Sequence, residues 1–129
     1  MILKPLIESK TALQTLAKQP LPISVSWELS KFLKASTPHI DTFNELRDAK
    51  IRELGEPEIK DEKETGNYTL KSENGEVFFA AVEELLNKDI DLVAPQINIK
   101  DLLEYKDANG KGIVISSAEM ILLGWLFVD

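Results

Sequence analysis

The sequence contains no cysteine and only one histidine, His39, among its 129 residues. Disulfides and thiolate metal sites are therefore excluded, and no histidine pair can form a metal site within one chain. The patterns G-x-x-x-x-G-K-[ST], G-x-G-x-x-G and G-x-S-x-G, which mark phosphate, dinucleotide and nucleophile turns, are also missing. We therefore expect a non-enzymatic protein that carries no cofactor and no metal ion.

Long hydrophobic runs are also absent. The longest apolar run is far shorter than the roughly 20 residues that span a bilayer. The first residues, Met1–Leu6, lack the basic start, the long apolar stretch and the cleavage site of a signal peptide. We therefore expect neither a membrane partner nor secretion through a signal peptide.

The charge is unevenly distributed along what we expect to be a single domain, residues 1–129. Apolar residues make up 43% of the chain and charged residues 29%, as in globular domains. Residues 1–52 carry eight Lys or Arg against five Asp or Glu, whereas residues 53–129 carry seven against seventeen. The net charge of −7 repels nucleic-acid phosphates, so we expect no direct nucleic-acid partner.

Apolar spacing predicts three helices ahead of the C-terminal segment. The longest extends from about Ser24 to Leu54, is kinked or briefly broken at Pro38, and is ended by Gly55. A shorter helix lies on each side of it in the sequence. The apolar stripes of these two short helices contain Leu13, Leu16 and Ala17, and Val77, Phe78, Ala81, Val82, Leu85 and Leu86, respectively.

Short apolar or alternating segments predict a small sheet. Four segments have strand character, near residues 2–7, 68–71, 90–99 and 113–115. Glu56–Asn67 has almost no apolar period and is predicted to be a mobile polar loop. The predicted fold is α+β, with a long kinked helix and shorter helices packed on a small, mainly antiparallel sheet, and a buried C-terminal helix.

The chain ends in its most apolar segment. Ser116 followed three residues later by Glu119 is a capping box, which predicts that a helix begins there. In the run that follows, Met120–Val128, only Gly124 lacks a large side chain, so the predicted helix has no polar face. Such a helix is enclosed by its own domain or by a partner, and both alternatives stay open.

Asp107–Gly112 is the closest approach to a metal-binding motif. It matches a calcium loop at the first, third and sixth positions, but Lys111 and Ala118 occupy the fifth and twelfth, where the loop needs ligands. Asn-Gly is also a common turn dipeptide. We therefore interpret the segment as a tight polar turn.

The remaining candidates for catalysis are His39 and two pairs of acids, Glu83 with Glu84 and Asp89 with Asp91. No nucleophile motif accompanies the histidine. Adjacent residues on a helix point about 100° apart, so local geometry does not bring the glutamates together. We interpret these acids as a solvated surface.

Four large aromatic side chains are candidates for the core or for an interface. We expect Trp27 and Phe32 to lie in the core, where burial stabilises the fold by roughly 1.5–3 kcal/mol each. Trp125 and Phe127 belong to the terminal segment and fit either the core or a binding surface, because Trp is enriched at binding hot spots.

Five stretches of the sequence follow, in the same order, a pattern that occurs in other proteins. They are Trp27–Lys34, Phe43–Gly55, Val82–Leu86, Ile97–Leu102 and Ile115–Glu119. Together they resemble a small family of uncharacterised proteins encoded by phages and prophages. The resemblance implies a late-region or accessory phage protein, located in the host cytoplasm or in the virion. Pro38 departs from the family's uninterrupted helix, and no site residues follow from the resemblance.

The leading hypothesis is a phage-encoded, non-enzymatic protein that binds a protein partner or itself, such as a small tail or assembly component or a modulator of a host factor. The alternative is an acidic decoy that inhibits a host nucleic-acid-binding or defence protein, although lysines interrupt its acidic stretch. The candidate partner-binding residues are Met120, Leu123, Trp125, Leu126 and Phe127 in the terminal segment, and the acidic Glu56, Glu58 and Glu62.

Overall fold

The computed structural model describes all 129 residues and shows an α+β fold, as predicted. The chain forms six helices and four strands. Their bounds are α1 Leu3–Glu8, α2 Lys10–Ala17, α3 Ile23–Leu54, β1 Glu56–Lys60, β2 Lys63–Thr69, α4 Ser72–Leu86, β3 Ile97–Asn98, α5 Ile99–Glu104, α6 Ser117–Leu122 and β4 Phe127–Val128.

The predicted long helix is confirmed as α3, which has 32 residues and continues through Pro38 without a break. Proline has no N–H for the helix ladder, and hydroxyl groups supply extra hydrogen bonds one turn earlier. Ser36 Oγ and Thr37 Oγ1 both donate to the carbonyl of Leu33, at 2.8 and 3.0 Å. The exposed side of α3 carries Pro38, so its ring disturbs the solvent side rather than the core.

Gly55 follows the last residue of α3, at a position where there is no room for a side chain. Its N–H donates to the Ile51 carbonyl at 2.8 Å, and its φ of −97° is accessible to any residue. A Cβ at this position would lie 2.7 Å from the Ile51 carbonyl oxygen and 3.1 Å from the Cβ of Tyr68. Glycine is therefore selected first by the Ile51 carbonyl of α3 and second by the close passage of β2.

We expect Gly55→Ala to lower the free energy of unfolding by about 1–2 kcal/mol, because the backbone must shift to relieve the contact. Urea denaturation followed by circular dichroism measures the change. Gly75→Ala is the matched control: it lies in α4 with nothing within 4 Å of the added Cβ, and there alanine should stabilise the helix by up to about 1 kcal/mol. Equal effects at the two sites would contradict the steric explanation.

The core is built by helices packing on α3 rather than by helices packing on a sheet. Buried apolar side chains come from α1, α2 and α3, and from four later parts of the chain, whereas α4 contributes no buried residue. The core residues are Leu3, Leu6, Ala12, Leu13, Leu16, Leu29, Phe32, Ile40, Phe43, Leu92, Ile97, Leu102, Leu123 and Leu126.

The prediction of a strand near residues 2–7 is wrong, because Leu3–Glu8 forms α1. Pro5 lies in its first turn, where a backbone N–H has no helical acceptor and its loss costs nothing. The only strand-like contact here is an isolated antiparallel bridge between Ile2 and Asp89. The Met1 amino group donates to the carbonyls of Ile90 and Leu92, at 3.2 and 3.1 Å, and ties this end to the segment after α4.

The prediction of a mobile loop over Glu56–Asn67 is also wrong, because β1 and β2 form an antiparallel hairpin. Asp61 and Glu62 make its two-residue turn with φ of 50° and 63°, the backbone of a hairpin turn. Gly66, with φ of 85°, lies in the stretch where the register shifts. No residue of the hairpin is buried, so it extends from the domain as an arm.

The other predicted strands are shorter than expected or missing. Of residues 90–99, only Ile97–Asn98 pairs, in parallel with β4. Of residues 68–71, only the first two belong to β2, and residues 113–115 form no strand. The sheet is therefore too small to organise the helices.

The prediction of a buried C-terminal helix is wrong for α6. The N-cap of the predicted capping box is present, because the Glu119 N–H donates to Ser116 Oγ at 3.1 Å. The Glu119 carboxylate accepts from the Ser116 hydroxyl at 2.9 Å rather than from the Ser116 backbone N–H. However, α6 ends at Leu122, has no buried residue, and leaves Ile121 81% exposed. The chain then turns, and only Leu123 and Leu126 enter the core.

Candidate functional site

An apolar groove lies where α1, the end of α4 and α6 meet. We call it the terminal groove; its volume is about 430 Å³. Three large apolar side chains on its rim, Ile2, Ile121 and Leu122, are exposed. The residues that line it are Ile2, Lys4, Pro5, Glu8, Asn87, Ile121, Leu122 and Trp125.

Two backbone hydrogen bonds hold together the segments that form the terminal groove. The Leu3 N–H donates to the carbonyl of Lys88 at 2.9 Å, which holds the start of α1 against the end of α4. The Ile97 N–H donates to the carbonyl of Leu126 at 3.0 Å and anchors the segment after α6. Lys4 and Glu83 add an ion pair of 3.8 Å at the edge, which contributes little because both side chains are well exposed.

Trp125 joins the terminal groove to the core. Its ring packs on Phe32 with centroids 5.8 Å apart and an interplanar angle of 52°, which is a favourable tilted arrangement. Its Nε1 is buried and finds no acceptor within the chain. A buried donor without a partner costs about 1–3 kcal/mol, so this indole is the least satisfied polar group of the site.

The structure divides the five apolar candidate residues between core and surface. Leu123 and Leu126 are fully buried, so they hold the segment in place and offer nothing to a partner. Met120 and Phe127 are half-buried outside the groove lining, and only Trp125 lines the terminal groove.

Sequence reasoning missed the most exposed apolar members of the terminal groove, Ile2, Ile121 and Leu122. In Met120–Val128 every side of the predicted helix is apolar, so periodicity could not separate an inner face from an outer one. The one usable signal is the capping box, because it places the helix start and thus the residues of its first two turns.

The acidic candidates Glu56, Glu58 and Glu62 lie on the hairpin and not in the terminal groove. Glu56 pairs with Lys71 at 3.1 Å and Glu58 with Lys60 at 3.5 Å. Glu62 occupies the turn. Lysines therefore interrupt the negative charge of the hairpin in space as well as in sequence.

One aromatic assignment is corrected and one is confirmed. Phe32 is buried in the core, whereas Trp27 is 65% exposed on α3. The Lys31 Nζ lies 5.9 Å from the centroid of the Trp27 ring, an exposed cation–π contact worth about 0.5–1 kcal/mol.

The remaining candidate residues stand apart from the terminal groove. Asp107–Gly112 forms the predicted tight turn: Asp107 Oδ1 accepts the N–H groups of Asn109 and Lys111, both at 2.9 Å. His39 is half-buried on α3. Asp89 forms an ion pair of 3.4 Å with the Met1 amino group, and the Asp91 side chain lies elsewhere on the surface.

No group of three or more histidine, aspartate or glutamate side chains is arranged as a metal site. None of the helices combines the length and the apolar character needed to cross a bilayer.

No protein-family model, curated protein or solved structure matches the chain. The resemblance to phage proteins therefore remains a prediction from the sequence.

Proposed function

We propose that this protein is a non-enzymatic interaction protein that binds an apolar segment of another protein in the terminal groove. The observation that carries the proposal is the exposure of Ile2, Ile121 and Leu122 around the half-buried Trp125. Contiguous exposed apolar side chains with a polar rim are typical of protein-binding surfaces. Lys4 and Glu8 provide that rim.

The anchor of such a complex is Trp125. A partner that closes the terminal groove would remove the ring from water, and buried tryptophans dominate the binding energy of many interfaces. The packing of the ring on Phe32 holds it in one orientation before binding, so little side-chain entropy is lost.

On the resemblance of the sequence, we further propose that the protein acts in a bacteriophage, as a small tail or assembly component or as a modulator of a host factor. The acidic-decoy alternative has less support, because Lys60 and Lys71 lie against the glutamates that it needs. Binding through the terminal groove should be nearly independent of salt, whereas decoy binding should weaken steeply as salt screens the charges.

A photocrosslinker tests where the partner binds. With p-benzoylphenylalanine at Ile121, we expect a specific adduct in the cells that naturally express the gene. The matched control places it at Val114, which is similarly exposed but outside the groove. Equal adducts from both positions, or none from Ile121, would refute the proposal.

The crosslinked partner then allows a quantitative test by calorimetry. We expect Ile121→Asp to weaken binding at least ~10-fold, because a charge would be buried in an apolar contact. Val114→Asp should leave the affinity unchanged. If the two variants bind alike, the terminal groove is not the binding site.

A further inference from the structure

Helix α4 is an apolar helix that the domain covers only in part: Val82, Leu85 and Leu86 pack against the core without being fully buried. It packs against α3 and α1 on one side, yet none of its 15 residues is buried. Val77, Ala81 and Leu85 are spaced four residues apart and so follow one another along one side of the helix. Beside them, Leu46 of α3 is 49% exposed. We call this surface the α3–α4 face.

The folded chain exposes more surface than a compact monomer should. Its accessible surface is 8754 Å², whereas a compact protein of 14.5 kDa exposes about 6,900 Å². The chain therefore exposes about 1,900 Å² more than a compact monomer, and several of its elements, among them the hairpin and α4, have no buried residue. A standard interface covers about 800 Å² on each partner, so the surplus is large enough to supply one.

The charges at the α3–α4 face suit a second copy of the same chain. A groove of about 260 Å³ between the helices is lined by Leu46, Ala81 and Leu85, with Lys50, Glu84 and Lys88 around it. Neither Glu84 nor Lys88 forms an ion pair within the chain. A two-fold axis makes a surface meet itself, so a patch with free charges of both signs is self-complementary.

We propose that the α3–α4 face is an interface between two copies of this chain related by a two-fold axis. Leu46, Val77 and Leu85 of one copy cover the same residues of the other, and Glu84 of each copy meets Lys88 of the other. This interface shares no lining residue with the terminal groove, and it does not depend on the function proposed for that groove.

Light scattering and analytical ultracentrifugation of the full-length protein test the interface. We expect a dimer, with twice the 14.5 kDa mass of one chain. Leu46→Glu should weaken dimerisation at least ~10-fold, because it buries a carboxylate in the apolar centre. Val114→Glu is the matched control, since Val114 is exposed elsewhere and should leave the dimer intact.

Charge-reversal variants distinguish the loss of dimerisation from the loss of folding. Glu84→Lys alters an exposed residue and should weaken the dimer, because only positive free charges then face each other. The double variant Glu84→Lys, Lys88→Glu should restore dimerisation, as only charge complementarity predicts. A monomeric wild-type protein at 100 μM or so, well above typical dimer constants, would overturn the proposal. So would a dimer that is unchanged by Leu46→Glu and Glu84→Lys while circular dichroism shows both variants folded.

One more variant distinguishes dimerisation through the α3–α4 face from association through the terminal groove. Ile121→Asp should leave the dimer mass unchanged. If Ile121→Asp alone produces a monomer, the copies associate through the terminal groove, and the α3–α4 interface is refuted.

Discussion

Leu126→Ala should lower the free energy of unfolding by about 2–5 kcal/mol, the largest loss that we expect from a single substitution. Leu126 is completely buried, three residues after the equally buried Leu123. Removing the side chain leaves a cavity between the terminal segment and the rest of the core. The Leu126 carbonyl also accepts the Ile97 N–H, so the loss of packing occurs where β4 attaches to β3.

Ile121→Ala is the matched control for Leu126→Ala. It removes a side chain of the same size from the same segment, but from a position that is largely in solvent, and should change stability by no more than about 0.5 kcal/mol. Urea denaturation of both variants gives the comparison. Similar losses for the two would mean that the terminal segment does not divide between core and surface as described.

Pro38→Ala should raise the free energy of unfolding by about 1–3 kcal/mol, the largest gain that we expect. Proline inside a helix costs about 3 kcal/mol relative to alanine, because it removes one hydrogen bond and its ring crowds the carbonyl four residues earlier. Pro38 is exposed in the middle of α3 and contributes nothing to the core. An alanine N–H restores the missing hydrogen bond to the Lys34 carbonyl.

Ser30→Ala controls for helix propensity in the Pro38→Ala experiment, because Ser30 is exposed on the same helix. It should raise stability by no more than about 0.5 kcal/mol. If Pro38→Ala lowers the melting temperature instead, the local geometry set by Pro38 is needed to place Ile40 and Phe43 in the core.

The acidic candidates and the apolar candidates show two different limits of sequence reasoning about a binding site. Glu56, Glu58 and Glu62 lie on the hairpin. Glu56 meets Lys71 only because β1 pairs with β2, whereas Glu58 pairs with Lys60, two residues along the same strand. The apolar candidates belong to one uniform run, in which nothing marks Leu123 as buried and Leu122 as exposed. The terminal groove exists only because α1 and α4 arrive beside that run.

Several elements could be predicted from the sequence alone, because interactions between nearby residues determine them. The long helix with its end at Gly55, the helix rich in Val, Phe and Leu that became α4, the turn at Asp107–Gly112 and the capping box at Ser116 all depend on residues a few positions apart. Each is stabilised by hydrogen bonds within its own segment, so neighbouring residues suffice to predict it.

Tertiary structure decided the rest. Residues 2–7 were predicted as a strand, but residues 3–7 belong to α1, because Pro5 lies in the first turn of that helix and Leu3 and Leu6 pack in the core. Residues 56–69 became a hairpin through pairing of two charged strands that have no apolar pattern. The terminal run was divided between core and surface where the chain turns after Leu122. In each case the deciding contacts join residues far apart in the chain or lie in a stretch without hydrophobic contrast, and a pattern along the sequence carries no record of either.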